Sequence, residues 1–109
     1  MIEALKEIDV ADNDPVAAAQ IPLALTGGKF VYVDGATQVF DVDGGTTYVE
    51  HGRETRGQWY VDDEGDFRSF WPPSYQASYD LRWIVEGGTI VGVRFTELRE
   101  GSRFDGRYR

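Results

Sequence analysis

Residues 79–97 read YDLRWIVEGGTIVGVRFTE, and this stretch decides the fold class. In its first half, apolar side chains at the odd positions from Tyr79 to Val85 alternate with the charged residues Asp80 and Arg82. In its second half Val91, Val93 and Phe95 are again apolar residues at odd positions, and a Gly-Gly pair separates the two halves. A period of two with glycine at the break is typical of two antiparallel strands joined by a tight turn. The stretch therefore predicts a β-hairpin with one buried face.

The same pattern continues along the chain from Lys29 to the C-terminus and predicts eight strands. The expected strands are Phe30–Val33, Thr37–Val42, Thr46–His51, Arg56–Asp62, Phe67–Trp71, Tyr79–Glu86, Ile90–Glu97 and Arg103–Tyr108. Because short Gly- and Asp-containing breaks join only antiparallel neighbours, the strands form a meander. An open meander would leave an apolar face and two edges uncovered. We therefore expect an all-β fold, an eight-stranded antiparallel up-and-down barrel of the lipocalin-like type.

The N-terminal segment differs from the remainder of the chain. Residues 1–28 contain no aromatic residue, so we treat them as an extension with short helical turns, and residues 29–109 as the barrel domain. Asp14 followed by Pro15 predicts a helix start, with Pro15 at the first helical position. Pro22 is expected to end that helix.

Charge and composition exclude several function classes. The chain has 19 acidic and 11 basic residues and a net charge of −8, which disfavours nucleic acid and anionic membranes as partners. There is no cysteine and a single histidine, so we expect no metal and no cofactor. Without a signal-like or membrane-spanning N-terminal run, the cytoplasm is the expected location.

Three segments resemble the layout of calycin-like small barrels, a group that includes lipocalins, avidin-like proteins, MoaF-like barrels and the phenolic acid decarboxylases. They are Gly28-Lys-Phe-Val-Tyr32, Gly57-Gln-Trp59 and Tyr79-Asp-Leu-Arg-Trp83. The resemblance implies a barrel that holds one small, largely apolar molecule. In the decarboxylases a tyrosine pair acts with an arginine and a glutamate. Tyr32 matches one of those tyrosines but Phe30 replaces the other, so the resemblance does not extend to that activity.

The first functional hypothesis is a barrel that binds a small apolar or aromatic molecule at one end. The expected ligand-binding residues are the inward-facing rings Tyr32, Trp59, Trp71, Tyr79 and Trp83. Because prolines cannot donate to a β-ladder, we expect Trp71-Pro-Pro-Ser-Tyr75 to form a stiff loop. That loop can either seal the core or form an aromatic wall beside a ligand entrance.

Two alternatives remain open at this stage. The first is a non-catalytic interaction or assembly module with a filled core and a partner surface that includes Phe40, Phe70 or Ile84; a homodimer is one assembly of this kind. The second is an enzyme that uses carboxylate or imidazole chemistry, with His51 and Glu97 as the candidate catalytic residues.

Overall fold

The computed structural model describes residues 3–109, and the first two residues of the predicted N-terminal extension lie outside the described residues. It contains eight strands in a closed barrel, each antiparallel to the next, and the last strand pairs with the first. The strands are β1 Phe30–Tyr32, β2 Thr37–Phe40, β3 Gly45–Glu50, β4 Arg53–Val61, β5 Phe67–Trp71, β6 Tyr75–Glu86, β7 Thr89–Glu97 and β8 Arg103–Tyr108. The predicted all-β up-and-down barrel is confirmed, and its architecture is consistent with that of calycin-like barrels.

The hairpin of β5 and β6 is tighter than the sequence indicated. Strand β6 begins at Tyr75 instead of Tyr79, and Tyr75 lies opposite Trp71 in the register. The segment between them, with its two prolines, is therefore a short turn at one end of the barrel. The predicted strand start at Tyr79 was wrong because the ladder between these two strands continues to Trp71 and Tyr75, on either side of the turn.

A register shift interrupts the pairing of β6 with β7. Ile84 lies opposite Gly92 and Val85 lies opposite Ile90, so one residue of β7 has no partner at that point. An extra residue of this kind is a β-bulge, which bends the strand and reverses the inside-outside alternation beyond it. Ile90 is buried and Val91 is only partly buried, so the strict alternation expected for β7 holds only from Gly92 onward.

The N-terminal segment covers an otherwise unpaired part of β6. Strand β5 pairs with β6 only as far as Tyr79. Beyond it, the backbone of residues 13–16 bonds to β6: Asn13 N donates to Trp83 O (2.8 Å), Trp83 N to Asp14 O (2.9 Å) and Val16 N to Leu81 O (3.0 Å). Pro15 is therefore extended instead of helical, because this edge of β6 needs hydrogen-bond partners.

The helices of this segment lie on either side of the extended residues. A 3₁₀ helix spans Glu3–Glu7, a second spans Ala18–Gln20, and the α-helix α1 follows at Ile21–Thr26. Pro22 lies in the first turn of α1 instead of ending a helix, contrary to the prediction. Proline is tolerated there because the first N–H groups of a helix have no intrahelical acceptor. No helix among the described residues is long and apolar enough to span a membrane.

Helix α1 closes one end of the barrel. Its residues Ile21, Ala24 and Leu25 are buried and belong to the same apolar cluster as Leu5, Val16, Phe30, Trp83 and Val93. From β8, the Tyr108 hydroxyl donates a hydrogen bond to the carbonyl oxygen of Ala24. The core therefore consists of barrel strands and N-terminal residues packed together at this end.

If α1 is part of the core, Leu25→Ala should reduce the free energy of unfolding by about 2–5 kcal/mol, because it leaves a cavity at a fully buried site. Leu98→Ala is the matched control, since Leu98 is 54% exposed, and it should change stability by less than about 0.5 kcal/mol. Urea unfolding measures both. Equal effects of the two substitutions would contradict the packing of α1 against the barrel.

Candidate functional site

The end of the barrel opposite α1 contains a cavity of about 570 Å³. Every strand contributes at least one residue to it, and β7 contributes Phe95 to its floor. The lining residues are Tyr32, Val33, Asp34, Gln38, Phe40, Tyr48, Thr55, Phe67, Ser69, Trp71, Tyr75, Tyr79, Phe95, Arg103, Phe104 and Asp105. Nine of these sixteen residues are aromatic, and six are polar or charged.

Phenylalanine rings form the floor of the cavity. Phe40 and Phe95 are stacked, with ring centroids 6.0 Å apart and an interplanar angle of 14°. Phe67 packs beside both, at 5.9 and 6.0 Å. Phe30 lies edge-on to Phe40 and Phe95 and is fully buried, on the side of α1. These rings separate the cavity from the packed core at the closed end.

Trp71 forms one wall and depends on the glycine opposite it. A Cβ atom on Gly57 would lie 2.5 Å from Trp71 Cε3 and 2.7 Å from the carbonyl oxygen of Phe70, so any other residue would clash. The bare backbone of β4 thus lets the indole lie directly against it. Trp71 Nε1 donates a hydrogen bond to Ser69 Oγ (3.2 Å), which holds the ring in place.

A chain of side-chain hydrogen bonds crosses β1, β2 and β3 below the cavity rim. The Tyr32 hydroxyl donates to Gln38 Oε1 (2.6 Å), Gln38 Nε2 donates to Thr46 Oγ1 (2.9 Å), and the Thr46 hydroxyl donates to the carbonyl oxygen of Val39 (2.8 Å). Gln38 and Thr46 are buried polar residues, and this chain provides the partners that such groups need.

The tyrosines around the cavity resist ionisation. Burial, followed by the electrostatic effects of Tyr48, Tyr79 and Asp34, raises the pKa of Tyr32 far above its ordinary value. Burial is also the main cause of the raised pKa of Tyr48 and of Tyr79. Tyr48 and Tyr79 thus lie close enough to Tyr32 to disfavour a negative charge on its oxygen.

Three of the five residues predicted to bind a ligand line the cavity, namely Tyr32, Trp71 and Tyr79. The other two lie elsewhere. Trp59 is buried beside Phe40 and Phe67, and its Nε1 donates to the carbonyl oxygen of Asp41 (3.0 Å). Trp83 is fully buried in the core at the closed end, where its Nε1 has no hydrogen-bond partner among the described residues.

The two candidate catalytic residues are not brought together with the cavity lining. His51 is exposed in the turn between β3 and β4, with a backbone φ of 52°. Glu97 is buried, but its carboxylate accepts hydrogen bonds from the backbone N–H groups of Arg99 (3.0 Å) and Glu100 (2.7 Å). Glu97 thus stabilises the turn that leads to β8. No group of potential metal ligands occurs within the described part of the chain.

Sequence reasoning missed several cavity residues, of which Gln38, Tyr48 and Phe104 are the most informative. Gln38 had a detectable signal, because it shares the inward phase of β2 with Phe40 and is an amide at a position where an apolar residue is expected. Ser69, which lies between Phe67 and Trp71 in β5 and is buried, was not predicted as a site residue either. Its buried hydroxyl is the partner of Trp71.

Comparison with known proteins adds no name to this site. No protein-family model matches the chain, and neither a curated protein nor a solved structure is significantly similar to it.

The raised pKa of Tyr32 predicts a pH dependence. In the unfolded chain Tyr32 loses its proton above about pH 10, whereas the folded protein retains it, so the free energy of unfolding should fall as the pH rises through that value. Tyr32→Phe should make this fall shallower. Tyr60→Phe is the control, because Tyr60 is 47% exposed on the outer face, and its slope should match the wild type. Denaturant unfolding from about pH 8 to about pH 11 tests this; identical slopes for both variants would contradict the burial of Tyr32.

Proposed function

We propose that this barrel binds one small apolar or aromatic molecule in the cavity opposite α1. The observation that carries the proposal is the cavity of about 570 Å³ with a floor of phenylalanine rings. Its volume falls within the range of roughly 300–1,000 Å³ that is usual for small-molecule sites. Such sites combine apolar walls with a few fixed polar groups, and Tyr32, Gln38 and Ser69 are of the second kind.

The rim of the cavity supports an apolar occupant. Val33, Tyr75 and Phe104 are 93%, 55% and 45% exposed, and all three line the cavity. Exposed apolar side chains are usually scattered singly over a protein surface. A cluster of large apolar side chains around an opening is typical of a binding site. The proposed ligand contacts are therefore Tyr32, Trp71, Tyr79 and Phe104, together with the phenylalanine rings of the floor. A relationship to the calycin-like binding barrels is part of the proposal and rests on the shared architecture alone.

The interaction-module alternative has lost much of its basis. It relied on exposed Phe40, Phe70 and Ile84, but Phe40 is 4% and Ile84 2% exposed. Phe40 occupies the inward phase of β2, and Ile84 lies at the bulge beside the N-terminal segment. We therefore make a small molecule, and not a protein, a nucleic acid or a membrane, the proposed partner.

Tryptophan fluorescence tests this proposal, because Trp71 lines the cavity whereas Trp59 and Trp83 do not. We expect members of a library of neutral one- and two-ring aromatic compounds to quench the fluorescence and to raise the melting temperature. Trp71→Phe should remove most of the quenching, and Trp59→Phe should retain it. A library in which no compound changes either signal would refute the proposed function.

A further inference from the structure

The hydrogen-bond chain that ends at Tyr32 has a fixed direction. A carbonyl oxygen only accepts, so the Thr46 hydroxyl must give its single hydrogen to Val39 O. Thr46 Oγ1 can then only accept from Gln38, which places the amide nitrogen of Gln38 toward Thr46 and its oxygen toward Tyr32. The Tyr32 hydroxyl therefore gives its hydrogen to Gln38 Oε1.

The consequence is that Tyr32 presents only lone pairs to the cavity. A phenol has one hydrogen, and in Tyr32 that hydrogen is committed to Gln38. Tyr48 is similar, since its hydroxyl donates to the Glu50 carboxylate (3.4 Å), which has no hydrogen to offer. The Asp34 carboxylate, which also lines the cavity, is a further acceptor. These three residues of the lining therefore accept hydrogen bonds and offer none.

The charged residues at the rim do not reverse this preference. Arg103 is the cationic residue of the lining, and its guanidinium contacts the Asp105 carboxylate (Nε to Oδ1, 3.4 Å). Arg94 holds the same carboxylate at 3.0 Å. The rim therefore carries the carboxylate of Asp34 and a guanidinium that is already paired with Asp105. An anionic ligand group at Tyr32 would meet only lone pairs there and would find no hydrogen to accept.

We infer that the ligand carries a neutral hydrogen-bond donor, a hydroxyl or an amide N–H, on an apolar or aromatic body, and that the donor bonds to Tyr32 Oη. This inference rests on the proposed function and names the chemical class of the ligand. A carboxylate, an ester or an ether has no hydrogen for the lone pairs of Tyr32. Tyr79, on β6, also lines the cavity and carries a hydroxyl that can donate to the oxygen of a ligand hydroxyl.

Three compounds that share one two-ring body separate the inference from the proposed function. They are 2-naphthylmethanol, which has a donor, its methyl ether, which has only an acceptor, and 2-methylnaphthalene, which has no polar group. Calorimetric titration at neutral pH should show the alcohol binding about tenfold more tightly than the ether, because the ether has no hydrogen for the acceptor lone pairs of Tyr32. The ether differs from the alcohol without a change of charge.

Two variants remove the preference in different ways. Tyr32→Phe deletes the acceptor, so the affinities for alcohol and ether should differ by less than about threefold. Gln38→Leu frees the Tyr32 hydrogen to point into the cavity, so the ether should bind this variant more tightly than it binds the wild type. If the ether bound the wild type weakly only because its methyl group fits poorly, Gln38→Leu would not produce this gain. Tyr60→Phe, on the outer face, should retain the wild-type ratio.

The possible outcomes are distinct. If none of the three compounds binds, the proposed function fails and the inference fails with it. If all three bind the wild type with equal affinity, or if the ether binds best, the cavity binds ligands but the inference is overturned. A wild-type ratio that persists in both Tyr32→Phe and Gln38→Leu also overturns it.

Discussion

The stacked contact between Phe40 and Phe95 divides the barrel into two parts with different properties. On one side, Phe30 and the N-terminal residues fill the interior completely. On the other side, the rings are the floor of a cavity. An eight-stranded barrel encloses just enough space for packed side chains or for one small ligand, and this chain divides that space between the two uses. The floor makes this division possible, because each ring contacts residues of several strands.

Closure of the filled end depends on the unequal lengths of two strands. β5 has five residues and β6 has twelve, so seven residues of β6 have no β5 partner. The extended backbone at residues 13–16 supplies hydrogen bonds to this part of β6 and leads the chain toward α1, which covers the barrel end. The N-terminal segment thus has two structural roles, and none of its described residues lines the cavity.

The alternation of side chains predicted the strands and their inward faces well, but not the position of a residue along the barrel axis. Tyr79 and Trp83 share one face of β6, yet Tyr79 lines the cavity and Trp83 is buried at the closed end. A period of two distinguishes inside from outside and contains no information about depth. Depth follows from the strand register and from the place where the N-terminal segment packs, and both depend on contacts between distant residues.

The same limit applies to the chemistry of the site. Tyr32 was predictable as an inward residue, but the direction of its hydroxyl depends on Gln38 and Thr46, which belong to different strands. At Pro15 a tertiary contact overrules the local sequence preference. The sequence there favours the start of a helix, but the backbone is extended because β6 requires hydrogen-bond partners. Ile84 was expected to be exposed but is 2% exposed, and the alternation pattern gives no sign of the β-bulge that lies opposite it in β7.

The barrel is hollow on one side of the phenylalanine floor and solid on the other. Intermolecular nuclear Overhauser effects between 2-methylnaphthalene and the isotope-labelled protein test it most directly. We expect contacts from the compound to the side chains of Trp71, Tyr79 and Phe95, and none to Trp83 or Leu25. Contacts to Trp83 or Leu25, or contacts confined to the outer face around Tyr60, would contradict it.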